Sequence, residues 1–193
     1  AGSLLGIVIN REKYSFPVGK VEIHTLYPLD FEEFLQATGQ EYLSDMVKDH
    51  FDSFKPLPDA VHSELQNNYK KYQAVGGMPL AVKSFSENNS ADTVHEIQNN
   101  ILNAYIADMA KYASNNESVK IRGAYESIPA QLAKNNKKFQ YKLIRKGATA
   151  NLFGTSIDWL EMAGIVLKCS KIDHGLLPLS IYKDVSSFKL YMS

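Results

Sequence analysis

A chain of 193 residues with 45% hydrophobic side chains has apolar material for one or two packed cores, which excludes disorder over most of its length. Its longest apolar stretch, residues 4–9, falls far short of the ~20 residues that cross a bilayer, and a single cysteine, Cys169, excludes an internal disulfide and a cysteine-based metal site. The 21 basic and 21 acidic residues cancel, yet residues 1–118 hold 9 basic and 16 acidic side chains (net −7) and residues 119–193 hold 12 and 5 (net +7), so any field that attracts a polyanion is confined to the C-terminal part.

The start carries neither a basic segment nor an apolar one with a small-residue cleavage site, so a cytoplasmic chain without a membrane partner is expected. Residues 1–9 read as the end of a strand entering a turn. Residues 20–27 alternate polar with β-branched or aromatic side chains, the period of a second strand, which Pro28 stops. Asp30 and Glu33 have the spacing of a capping box and predict a short helix to about Thr38, with Gly39 as its stop. Leu43, Met46, Val47, His50, Phe51 and Phe54 recur at helical spacing and predict an amphipathic helix with His50 on its buried edge, ending before Pro56-Leu57-Pro58. A third helix is expected from Asp59, with Val61, Leu65, Tyr69 and Tyr72 on one face and Gly76-Gly77 at its end. Residues 92–112 give the most regular helical pattern, with Thr93 and Glu96 as a capping box, and the polar run Asn115-Asn116-Glu117-Ser118 reads as a domain boundary.

Beyond it, residues 121–133, 141–145 and 151–163 read as helices and residues 165–169 and 188–191 as strands, with Asp173-His174-Gly175 at the tip between the strands. Three helices followed by a two-stranded wing is the order of a winged helix-turn-helix, so the fold class expected is mainly α with small β. The third helix offers Asn151, Thr155 and Ser156 to base edges, whereas Asp158 and Glu161 on it repel phosphates.

Between Ser127 and Ile157 the sequence has six basic residues, Lys134, Lys137, Lys138, Lys142, Arg145 and Lys146, and no acidic one. Such a run neutralises phosphates and releases their counterions, which makes DNA a candidate partner; a solvated face that balances the acidic part of the chain is the alternative of equal weight. No catalytic constellation accompanies it. Gly19-Lys20 is followed by Val21 and lacks the earlier glycine of a Walker loop, no Gly-x-Ser-x-Gly elbow occurs, and the five histidines form no two-histidine zinc motif. Asp45, Asp49 and Asp52 share a helix face near His50 that reads as an exposed acidic surface, so no metal site is expected.

Four stretches, Ala1-Gly2-Ser3-Leu4-Leu5-Gly6, Tyr27-Pro28-Leu29-Asp30-Phe31-Glu32-Glu33-Phe34-Leu35, Gly76-Gly77-Met78-Pro79, and Ser127-Ile128-Pro129-Ala130-Gln131-Leu132-Ala133 leading into Lys137-Lys138-Phe139, resemble a family of prokaryotic AAA-type P-loop ATPases. In that family an ATPase core is followed by a helical segment, a winged helix and a further domain of unknown function. The resemblance implies that residues 1–27 are the end of an ATPase core, 28–118 a helical lid-like domain and 119–193 a winged-helix domain. It also implies a longer parent that binds ATP and Mg, of which this fragment lacks the Walker part and does not hydrolyse ATP itself. In the parent, Ser3 falls at the position of the sensor that touches the γ-phosphate, and Lys20 falls where an arginine finger often follows a glycine, although lysine lacks the planar fork of arginine. Two other classes remain beside this one: a non-enzymatic module that docks a protein partner or self-associates, and a winged-helix transcription regulator.

Overall fold

The computed structural model describes residues 20, 22 and 24–192, which form a mainly helical chain with one small two-stranded antiparallel sheet. Residues 23–104 make one compact unit and residues 105–193 belong to another. The expected strand over residues 20–27 is not formed by its described residues, of which Lys20 lies in a bend and the others in irregular structure; alternation becomes a strand only where a second edge takes its backbone hydrogen bonds. The strand end expected at residues 1–9 lies outside the described residues.

The first unit is anchored at Leu29. Its N–H donates to the Gly77 carbonyl at 2.7 Å, and its carbonyl accepts from the Tyr72 hydroxyl at 2.9 Å. A side chain at Gly77 would put its Cβ 2.1 Å from the Leu29 carbonyl oxygen, so only glycine lets the two backbones meet. Helix α1 (Phe31–Ala37) starts with the expected box: the Glu33 N–H donates to Asp30 and the Asp30 N–H to Glu33, both at 2.9 Å. Helices α2 (Glu41–Asp52) and α3 (Asp59–Val75) follow as expected, and Gly76, with φ +75°, ends α3. Helix α4 (Pro79–Asn88) was not expected from the Gly76-Gly77-Met78-Pro79 stretch. Proline at the first helical position lacks only an N–H that has no intrahelical partner there, so the apparent breaker is a start. Helix α5 (Ala91–Tyr112) opens with the Thr93 N–H donating to Ser90 Oγ at 3.4 Å, so Ser90 caps it where Thr93 was expected to.

The core of this unit is split. Phe34, Val75, Ala81, Val82 and Val94 form one buried cluster, and Leu35, Leu43 and Leu65 form a second. Phe31, Phe34, Tyr72 and Phe85 pack ring to ring beside the first. On α2 only Leu43 of the expected stripe is buried; Met46 and His50 are half-buried, while Phe51 is 76% and Phe54 93% exposed. The stripe outruns the partners that cover it at Phe51, and at Phe54 it outruns the helix itself, which ends at Asp52.

The second unit has a single core. Helix α6 (Asn115–Leu132) opens where the sequence suggested a boundary, with Ser114 and Glu117 as its capping box. The expected helix at 141–145 is one 3-10 turn (Tyr141–Leu143), and α7 (Ala150–Met162) buries Phe153, Ser156, Ile157 and Leu160 on one face. Strands β1 (Val166–Ile172) and β2 (Lys183–Met192) pair antiparallel, with an irregularity after Ser170 where the register jumps from Phe188 to Asp184. Residues 137–140 lie along β2, since the Phe139 N–H donates to the Phe188 carbonyl at 2.9 Å and the two rings stack 5.5 Å apart. Met109, Ile128, Phe153, Leu160, Val166 and Leu190 belong to the one cluster that joins both helices to the hairpin.

Candidate nucleic-acid interface

The basic run occupies the connection between α6 and α7, and one buried amide sets its path. Gln131, at the end of α6, accepts the Gln140 N–H at 2.7 Å and donates to Ser127 Oγ at 3.0 Å. Buried and satisfied on both sides, it fixes the chain as it leaves the extended segment and enters the 3-10 turn. Lys134 lies just beyond the last turn of α6, Lys137 and Lys138 in the extended segment, Lys142 in the 3-10 turn, and Arg145 and Lys146 in the turn that leads to α7. All are exposed except Lys138, which is half-buried. Among the described residues none of the six carries an ion pair, whereas Arg122, Lys168 and Lys171 of the same unit do. Arg145 stands 5.3 Å from the centre of the Phe153 ring, a cation–π contact that orients its guanidinium. Cations without ion pairs, on a connection free of carboxylates, are what a phosphate chain meets at least cost.

Helix α7 differs from what its sequence suggests. Asn151 and Thr155 are exposed, but Ser156 is 3% exposed and faces the core, so it reaches no base edge. Asp158 and Glu161 hold Lys168 of β1 at 3.5 and 3.7 Å, and the Lys168 ammonium also lies 5.0 Å above the Phe188 ring. These carboxylates fasten the hairpin to the helix. Burial, and then Asp158, push the Tyr141 hydroxyl above its ordinary value, so it stays neutral beside the basic connection.

The hairpin adds residues that no linear pattern showed. A groove of about 410 Å³ is lined by Asn136 and Lys138 from the extended segment, Ser170 and Lys171 from β1, and Lys189 and Tyr191 from β2. Lys171 is held by Asp173 at 2.5 Å. Asp184 lies below its ordinary value because the Ser186 hydroxyl and N–H donate to it and Lys171 and Lys138 stand nearby. The signal that would have found the groove is strand register: Lys189 faces Cys169 across the hairpin, 51 residues beyond Lys138 in the chain.

Of the remaining candidates, Ser3 lies outside the described residues and Lys20 is an exposed residue in a bend. Asp45, Asp49 and Asp52 are exposed, and among the described residues no group of histidine, cysteine or carboxylate side chains has the geometry to hold a metal ion. Among those residues no helix is long and apolar enough to cross a membrane. A family model described as Domain of unknown function (DUF8612) matches residues 66–193. No curated protein and no solved structure matches the chain.

Proposed function

The chain belongs to the DUF8612 family, and from the chemistry of its surface we propose that the unit of residues 105–193 is a winged-helix-like module that binds nucleic acid through the phosphate backbone. The observation that carries this is the set of six basic residues between α6 and α7, without ion pairs among the described residues and without a carboxylate anywhere from Ser127 to Ile157. The unit as a whole supports it, with 13 basic and 7 acidic residues over 105–193 against 5 and 12 over 23–104. Backbone contact rather than base reading follows from α7, whose Ser156 is buried and whose acids are exposed. Replacing Lys137, Lys138, Lys142, Arg145 and Lys146 with Glu is expected to abolish binding of a 20-mer oligonucleotide, duplex or single-stranded, in ~50 mM salt, and to flatten the dependence of affinity on salt by roughly one logarithmic unit per lost phosphate contact. Unchanged affinity would refute the reading.

The four stretches quoted above support a place for this module in an AAA-type ATP-binding protein with Mg as its ion, where Ser3 and Lys20 would act as sensor and charge-stabilising residue. The genomic reading frame tests it: an in-frame Walker loop upstream supports the parentage, and a frame without one removes it. A protein-docking module is the second reading, favoured by the exposed aliphatic side chains of Leu176, Leu177, Ile181 and Val185 in and beside the hairpin connection. Salt-dependent self-association without nucleic-acid binding, seen by sedimentation, would select it.

A further inference from the structure

We infer that the groove on the hairpin is a seat for single-stranded nucleic acid, in which phosphates meet Lys138 and Lys189 and a base stacks on Tyr191. The inference rests on the nucleic-acid reading proposed above and assigns it a strand type and a second surface. Two features make the seat. The groove, at about 410 Å³, has the capacity of a small-molecule site. Its wall also combines cations with hydroxyls and an aromatic ring: Lys138, Lys189, Ser170, Ser187 and Tyr191. Lys189 and Tyr191 are two residues apart on β2, so the pleat puts both side chains on one side of the strand, and Cys169 and Leu167 face them from β1 on that same side. Cation beside ring is the arrangement that holds successive nucleotides of a single strand, since every base has a face to stack and every step a phosphate.

A duplex fits this unit less well. Reading a major groove needs several free polar side chains along one helix, and α7 offers Asn151 and Thr155 but buries Ser156 and carries two exposed carboxylates on its C-terminal half. Following the second strand of a duplex needs cations farther along the hairpin, and residues 173–182 contain no lysine or arginine but carry Leu176, Leu177, Leu179 and Ile181. Lys171 is the least available cation of the seat, because Asp173 already holds it.

Cys169 is the only cysteine of the chain, is exposed and lines the groove, so the wild-type protein reports its own occupancy. Its reaction with a chromogenic thiol reagent is expected to slow at least tenfold when a 12-nucleotide oligodeoxythymidine or oligouridine is added at saturation, and to stay fast with a 12-base-pair duplex. The two single-stranded probes separate DNA from RNA by the 2′-hydroxyl. In fluorescence anisotropy, Tyr191→Ala is expected to weaken single-strand binding about tenfold while Tyr191→Phe retains it, and Lys189→Ala is expected to reduce the salt slope by about one unit. Duplex binding as tight as single-strand binding, with Cys169 left reactive by both, would overturn the seat and leave the basic connection standing. No binding of either form would overturn both.

Discussion

The two units solve the burial problem differently. Among the described residues, 105–193 join α6, α7 and both strands around one cluster of 16 buried residues, whereas the unit of 23–104 divides its buried residues into clusters of five and three. The second unit therefore has a scaffold rigid enough to carry the exposed connection 134–146, whose backbone is pinned by Gln131 and by the pairing of Phe139 with β2. The first relies on local devices: the capping box at Asp30, a bare glycine at Gly77 and a hydroxyl from Tyr72 to Leu29. The lesson is that charge and core go together here, since the unit with the continuous core carries 13 basic and 7 acidic residues over 105–193, against 5 and 12 over 23–104.

The largest test of the contrast is Phe153→Ala. Phe153 is 1% exposed at the middle of the single cluster, so its loss is expected to destabilise the second unit by about 3–5 kcal/mol. Hydrogen exchange read peptide by peptide should show lost protection in residues 115–192 and little change in 31–88; equal loss in both would break the distinction. Gly77→Ala is the matching test of the first unit. Its Cβ meets a backbone carbonyl oxygen rather than a flexible side chain, so the expected cost is about 3 kcal/mol, near the upper end for overpacking. Exchange protection should then fall in 31–88 and hold in 115–192.

The devices that act within a few residues were legible in the sequence. Asp30 and Glu33 cap α1 because their spacing alone brings side chain to backbone, and the helical periods of α3, α5 and α7 recur in the structure. Covering is not written in a period, so Phe51 lies open on the helix that buries Leu43, and Phe54 falls beyond its end with φ +52°. Pro79 misled because one residue type both stops and starts helices, and the position of α4 depends on Leu29 and Gly77 meeting across 48 residues. The basic connection was visible as composition, while the groove beside it needed the register that sets Lys189 opposite Cys169.

Smaller effects compare the two capping boxes. Asp30→Ala and Ser114→Ala each remove a side-chain acceptor for the first turn of a helix and are expected to cost about 1 kcal/mol. Because α1 has seven residues and α6 has 18, the same loss should be a larger share of the stability of α1. In chemical denaturation followed by exchange, Asp30→Ala is expected to open 31–37 at lower denaturant than Ser114→Ala opens 115–121. The reverse order would show that α1 is held by its tertiary contacts and not by its cap.

The smallest effect is set by pH at the hairpin. Hydrogen bonds from the Ser186 hydroxyl and N–H, with Lys171 and Lys138 nearby, hold the Asp184 carboxyl below its ordinary value of 3.8. The folded hairpin therefore favours the ionised form more than the unfolded chain does. This contribution is fully present above the ordinary value and is lost as pH falls through the depressed one. Asp184 is half-buried at the start of β2, where solvent still screens it, so the loss is local and modest. Exchange at residues 183–188 should speed up below about pH 4, relative to the intrinsic rate, while residues 153–160 of α7 stay protected. Asp184→Asn should remove that pH dependence, because an amide keeps an acceptor for Ser186 but does not titrate. A dependence that survives the substitution would show that Asp184 is not the group responsible.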